Sequence, residues 1–384
     1  MIDALEYRPS LPKLVASRAL RRPVHGALRL TQQTIPRRPA PEWVNVRPRL
    51  SGICGSDQAL LAGHASPYLG ALTSAPFVLG HEVVGDVLSG PNAGARVVVE
   101  PALGCEVRGI TPPCVECLEG RYALCRNTVS GNIAAGLQTG VCRDTGGGWS
   151  EGLVAHERQL HAVPDALPDE DAVLVEPLAC AIHAVRETDP APGSHIAVIG
   201  AGTIGLLVLA ALRERASGTE VTCVAKYESQ KLQTLRFGAD HVTTPDRATL
   251  DAARITAARR LVGRFGHELM LGGFDAVLDC VGSASSLRTA LSIARPRGRV
   301  MLVGMPGRIG IDLSLAWQRE LEVRGVYAYR DDFAEALRMA GEIRPGRLIA
   351  DGWRLRDHGR ALQEARRGAR NGHPKTVFDL REAA

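Results

Sequence analysis

His195-Ile-Ala-Val-Ile-Gly200-Ala-Gly202-Thr203-Ile204-Gly205 decides the fold of the second half of this chain. An apolar run of strand length leads straight into Gly-x-Gly-x-x-Gly, and an Ala/Leu-rich segment continues to about residue 215. Each glycine has a separate physical task. The first permits the tight turn, the second lets the backbone approach a pyrophosphate, and the third allows close packing of helix on strand; the helix N-terminus then meets the phosphate charge. A bare glycine triplet is weak evidence, but a strand–turn–helix setting makes it a specific sign of dinucleotide binding. Gly200, Gly202, Thr203, Ile204 and Gly205 are therefore expected to hold a cofactor.

Downstream, strands are expected at 220–225, 274–281 and 298–304, a helix end and third strand over 237–242, and an amphipathic helix at 284–294. Alternating strands and helices imply a doubly wound parallel sheet that binds its ligand at the strands' carboxyl ends. Val281, Gly282, Val303, Gly304 and Met305 should line the nicotinamide end. An NAD site places Asp or Glu at the end of the second strand, to hold the ribose hydroxyls. This chain has Ala225 followed by Lys226, which repels no 2′-phosphate and offers it a cation, so NADP is expected over NAD.

Upstream, short alternating runs at 43–49, 83–88, 96–100, 152–156 and 159–163 read as strands of a β-rich domain, with Pro23, Pro36, Pro39 and Pro41 ending elements near its start. Two of its turns carry chemistry: Ser51-Gly-Ile-Cys54-Gly-Ser56-Asp57 and Leu79-Gly-His81-Glu82. A thiolate and an imidazole suit zinc, whose catalytic sites take three protein ligands and keep the fourth position open. Glu82 or Glu176 could supply the third. Ser56 is close enough in sequence to Cys54 to reach a substrate oxygen, and Asp57 could orient a ligand. A second cluster, Cys105-x8-Cys114-x2-Cys117-x7-Cys125 on a Pro- and Gly-rich loop, has the donor set of a closed structural zinc site. Cys142, Cys180, Cys223 and Cys280 are scattered and read as small buried apolar residues.

The Gly-Ile-Cys-Gly-Ser-Asp and Gly-His-Glu stretches resemble the zinc-dependent medium-chain dehydrogenases, the family of alcohol, sorbitol, threonine and glucose dehydrogenases. The resemblance extends in order through the cysteine lobe and the glycine motif to the C-terminal tail. It implies a GroES-like catalytic domain over 1–178, completed by 323–384, and a Rossmann cofactor domain over 179–322. Cys114, Cys117 and Cys125 match the family's structural-zinc lobe. Its first cysteine would stand where this chain has Thr111, so Cys105 is inferred to reach round. Leu174-Val-Glu176-Pro-Leu-Ala-Cys180 resembles the segment that carries a zinc-site carboxylate in sorbitol- and glucose-type members. Lys375 stands where the family has a basic residue that reaches the cofactor pyrophosphate, and relatives assemble as dimers and tetramers.

The bulk numbers agree. A chain of 384 residues holds two domains, and 46 basic against 41 acidic residues leave only +5, without a block of like charge. Small arginine clusters near Arg21 and Arg37 and an aromatic content of 4% disfavour nucleic acid. The apolar run 196–212 is interrupted by glycines and too short to span a bilayer, and the N-terminus lacks a signal-peptide pattern, so a cytoplasmic enzyme is expected. The expected reaction interconverts an alcohol, as in a polyol, sugar or other hydroxylated small molecule, with its carbonyl by hydride transfer, Ser56 taking the hydroxyl proton. The rivals are an NAD-dependent polyol or secondary-alcohol dehydrogenase, and a non-catalytic zinc-stabilised protein that binds nucleotides or nucleic acid.

Overall fold

The computed structural model describes residues 1–10, 12, 15 and 27–381; Pro23 and the arginines near Arg21 lie outside them. The chain divides into two units, one formed by Met1–Ala179, Arg330–Arg367 and the segment from Lys375, the other by Cys180–Tyr329 and Gly368–Pro374.

In the first unit a seven-stranded sheet runs in the order Ile349–Trp353, Lys375–Asp379, Trp43–Gly52, Val83–Val87, Arg96–Val99, Leu160–Ala162, and Leu153–His156 also pairs with Trp43–Gly52. Strand side chains alternate between faces, and the burial follows that period. Val44, Val46, Val83, Val87, Val97, Val99, Leu153 and Ala155 form one core. Trp43 and Val154, of opposite parity, pack with Leu103, Val107, Ile133 and Cys142 in a second core beside the cysteine-bearing loop. The central strand Trp43–Gly52 thus separates two cores and ends just before Cys54. A smaller sheet joins Leu28–Gln33, Ile2–Tyr7 and Phe77–Val78.

The second unit holds six parallel strands in the order His241–Thr243, Glu220–Val224, His195–Ile199, Phe274–Asp279, Ala294–Leu302, Glu322–Gly325. The chain starts in the middle, builds to one side, then crosses to the other. The resulting switch point beside His195–Ile199 is where doubly wound sheets bind ligands. Four of that strand's five residues are buried, as expected of a strand covered on both faces.

Two features correct the sequence reading. Glu322–Gly325 pairs with Arg299–Leu302 as the sixth strand, so the return to the first unit comes at Arg330 instead of Val323. The antiparallel pair Arg259–Val262 and Glu268–Leu271 was not foreseen, because its residues, only one of them buried, give no alternating pattern. Among the described residues no helix is long and apolar enough to cross a membrane.

Candidate active site

Cys54 caps the short helix Gly55–Leu61, and its N–H donates to Asp57 Oδ2 at 3.0 Å. The other Asp57 oxygen lies 3.5 Å from His81 Nδ1. Asp57 therefore ties the cysteine turn to the histidine turn, and it is 4% exposed. Ligand atoms of Cys54, His81 and Glu82 lie within 4.8 Å of one another. Burial works against a charged His81, yet Asp57 and Cys54 outweigh it and hold the imidazole well above its usual range. A metal ion would have to displace that proton, since imidazole binds metal in its neutral form.

Glu82 is 1% exposed, and its carboxylate pairs with the ammonium of Lys375, itself 3% exposed and 3.4 Å from the Ile53 carbonyl. Burial disfavours the Lys375 charge, but Glu82 first, then Cys54 and Glu176, raise its pKa above the ordinary lysine value. Lys375, expected at a pyrophosphate, is paired in this structure with Glu82 inside the first unit. Glu176, at the start of helix Val175–Thr188 and 8% exposed, acts on the same ammonium but lies outside the tight donor group. Of the two candidate carboxylates, Glu82 is the one within ligand reach of the pair. Space for it comes from Gly52, where a Cβ would stand 1.7 Å from Glu82 Oε2 and 2.9 Å from Lys375 Cε. Ser56 follows Cys54 in the first turn of the helix and is half-buried.

The donor set fits zinc. It offers one sulfur, one nitrogen and one oxygen, and the surrounding carboxylates exceed the single ammonium. Three protein ligands leave a position for substrate.

The four sulfurs of Cys105, Cys114, Cys117 and Cys125 also lie within 4.8 Å of one another, so Cys105 does join the other three. Cys105 and Cys125 sulfurs are 3.5 Å apart. Amide groups point at them: Cys105 N–H at Cys117 (3.3 Å), Cys114 N–H at Cys105 (3.3 Å), Arg126 N–H at Cys114 (3.5 Å), and Asn127 through N–H to Cys125 (3.3 Å) and Nδ2 to Cys105 (3.2 Å). Such donors favour thiolate. Burial would raise Cys114, but the amides of Arg126 and Cys117 outweigh it and bring the thiol down to about 6. Burial pushes Cys125 up to about 11 and raises Cys117 as well. Beneath the loop, Arg108 is fully buried, donating to the carbonyls of Leu103, Ser130 and Gly136. It pins the 130–136 segment to the lobe, a role nothing in the sequence announced.

In the second unit the three glycines of the motif differ in what surrounds them. Gly200 has φ +101°, and a Cβ there would meet Val281 at 2.5 Å. At Gly205 a Cβ would stand 1.8 Å from the Gly200 carbonyl oxygen, so only glycine lets helix Thr203–Arg215 start so close to the strand. At Gly202 a Cβ would meet nothing within 4 Å, which leaves open room at the helix N-terminus. That combination fits a dinucleotide pyrophosphate. Ile204 follows Thr203 in the helix's first turn. Ala225 is fully buried and Lys226 exposed. Asp279, missed by the sequence reading, organises the other rim. Its carboxylate accepts from the N–H groups of Val281 (2.9 Å) and Gly282 (3.2 Å) and from Ser286 Oγ (2.9 Å). Its carbonyl accepts from Val303 (3.0 Å) and Gly304 (2.8 Å). One residue at a strand end thus shapes both loops assigned to the nicotinamide; burial raises its pKa.

A β-rich unit with a sulfur–nitrogen–oxygen cluster and a parallel-sheet unit with a phosphate-binding turn together define a metal-dependent dehydrogenase. Comparison with known proteins specifies the family. Residues 40–165 match the alcohol dehydrogenase GroES-like domain and residues 203–342 the zinc-binding dehydrogenase domain. The chain is 33% identical over 312 residues to "Probable D-xylulose reductase A" of Arthroderma otae, covering 78% of this chain and 80% of that one. It is 27% identical over 327 residues to sorbitol dehydrogenase of Bacillus subtilis strain 168, covering 82% and 84%. The fold superimposes on 2R,3R-butanediol dehydrogenase from Bacillus subtilis with a TM-score of 0.73, at 23% identity and 99% coverage of both chains. The chain belongs to the zinc-dependent medium-chain dehydrogenases, enzymes acting on small-molecule alcohols and carbonyls.

Proposed function

We propose that this enzyme is a zinc-dependent polyol dehydrogenase that interconverts a hydroxyl of a polyhydroxylated small molecule with its carbonyl, using NADP in preference to NAD. The observation that carries the reading is the convergence of Cys54, His81 and Glu82 around one point. A carboxylate in the donor set and relatives named as sorbitol dehydrogenase and D-xylulose reductase support polyols over simple alcohols.

Zinc at this site supplies Lewis acidity that lowers the proton affinity of a substrate hydroxyl, and the nicotinamide supplies the hydride acceptor. Cys54, His81 and Glu82 would hold the ion. Asp57 fixes the histidine and cysteine turns relative to each other. Lys375 keeps Glu82 oriented and stops the site from accumulating uncompensated negative charge. Ser56 takes the hydroxyl proton. Cys105, Cys114, Cys117 and Cys125 hold a second, closed zinc that braces the loop. The buried Ala225 and the exposed Lys226 favour a phosphorylated ribose. A homodimer or homotetramer is consistent with the exposed edge strand Glu322–Gly325 and the 83%-exposed Trp317 before it.

The test is a spectrophotometric screen of the zinc-loaded enzyme over polyols, sugars and simple alcohols with both cofactors. A polyol such as sorbitol should be oxidised with kcat/KM at least about tenfold above ethanol, the discrimination expected when buried polar groups pair with substrate hydroxyls. Equal or better use of ethanol contradicts the proposal.

A further inference from the structure

We infer that Arg370, on the segment Gly368–Pro374, reads the 2′-phosphate of the cofactor together with Lys226 and Tyr227. The inference rests on the NADP reading above and adds a residue that lies far along the chain from the glycine motif. The segment belongs to the second unit and is anchored at several points. Ser229 Oγ donates to the Arg370 carbonyl at 2.6 Å, the Gln233 side chain donates to the Gly372 carbonyl, and Thr203 Oγ1 donates to the Pro374 carbonyl at 3.1 Å. It therefore runs from the helix that follows the second strand to the helix that follows the glycine turn, along the side where a dinucleotide lies in this sheet topology.

At its near end, Arg370 Nε donates to the Tyr227 hydroxyl at 3.1 Å, and the guanidinium carbon is 5.3 Å from the ring centroid. The Lys226 ammonium is 5.7 Å from the same centroid. The turn that carries Lys226 and Tyr227 is fixed by Gln230. Its Oε1 accepts both of their N–H groups at 3.1 and 3.0 Å, while its Nε2 donates to the Ala201 carbonyl in the glycine turn at 3.1 Å. The cation pair is thus held in register with the pyrophosphate-binding backbone.

Both side chains bring positive charge to the neighbourhood of one phenol ring, where each attracts an anion. Glu228, the next acid in sequence, pairs with Lys231 at 2.6 Å. The end of the second strand is where a Rossmann sheet receives the adenosine ribose, and buried Ala225 brings no carboxylate there. The anion that completes the cluster is a phosphate on that ribose. Tyr227 engages Arg370 through Nε, so the terminal nitrogens supply the planar fork that matches two phosphate oxygens. The tyrosine hydroxyl, accepting from Arg370, has its own proton to donate to a third.

The experiment measures kcat/KM for NADP and NAD in the wild type, Arg370→Ala, Arg370→Lys and Lys226→Ala, with calorimetric binding of adenosine 2′,5′-bisphosphate and of AMP. Arg370→Ala should lower kcat/KM for NADP by about 10- to 100-fold, mostly through KM, and weaken the bisphosphate comparably, as expected for loss of a charge-assisted hydrogen bond. NAD turnover and AMP binding should stay unchanged, and Arg370→Lys should recover part of the loss. An equal loss with both cofactors would mean that Arg370 only anchors the segment, and an unchanged NADP value would remove it from the site; either overturns the inference. If the wild type uses NAD as well as NADP, the preference itself is wrong and the clamp fails with it. A wild type that prefers NADP beside an indifferent Arg370→Ala fails the clamp alone.

Discussion

The four-cysteine lobe and the Cys54 cluster are built from the same thiol but supported differently. Around the lobe every donor is sulfur, and the sulfurs are met by four backbone N–H groups and one side-chain amide. Around Cys54 a sulfur meets an imidazole and a carboxylate, and the neighbours that hold them are charged side chains: Asp57, Lys375 and, further out, Glu176. Backbone amides fix a shell and lack titratable protons. Side-chain charges can tune one. The comparison teaches that donor count sets whether a zinc site is open, and that the supporting groups set whether it is static or adjustable.

Replacing one ligand in each cluster should break this symmetry most sharply. His81→Ala is expected to abolish turnover while leaving the melting temperature near the wild-type value. Cys114→Ser should instead destabilise the fold by several kcal/mol, because structural-zinc binding is coupled to folding. Thermal melts and activity assays on both variants check the contrast, and it collapses if both lose stability alike. Ser56→Ala should cost about 10²- to 10⁴-fold in kcat, the usual worth of a positioned proton acceptor, with cofactor KM unchanged; steady-state kinetics decides it. Lys375→Met should lower kcat/KM by about 10- to 100-fold, as for other groups that orient metal ligands, with zinc content retained. Loss of the metal would instead make Lys375 a part of the shell's assembly. The smallest effect is chemical. After chelation, an alkylating reagent at pH 7 should label Cys114 first, because its thiol is lowered to about 6 and ionised there, and Cys125, raised to about 11, much later. Peptide mapping reads the order; lowering the pH below about 6 should slow Cys114 without reversing it, and raising the pH towards about 11 should bring the two together.

The parts legible in the sequence are those that depend on neighbours along the chain. The glycine turn between His195–Ile199 and Thr203–Arg215, and the close spacing of Cys114 and Cys117, state their geometry locally. Cys105 could be assigned because a loop of Pro and Gly brings it round. What stayed hidden depends on distant partners. Glu82 and Glu176 look alike as acids beside apolar runs, and only the fold brings Glu82 within ligand reach of Cys54 and gives it Lys375, 293 positions away. Gly52 reads as an ordinary glycine at a strand end until a Cβ there is seen to strike that pair. Arg108 and Asp279 answer to backbone groups, which leave no mark in residue type. The sixth strand, Glu322–Gly325, is exposed along its length and so lacks the apolar signal of its five neighbours.

Zinc analysis of the purified wild type beside His81→Ala and Cys114→Ser is the most direct measurement of the central claim. The account gives about two zinc ions per wild-type chain and one in each variant, with X-ray absorption of Cys114→Ser showing a single sulfur beside nitrogen and oxygen ligands. An unchanged metal content in His81→Ala, or an all-sulfur spectrum for the only zinc in the wild type, would contradict it.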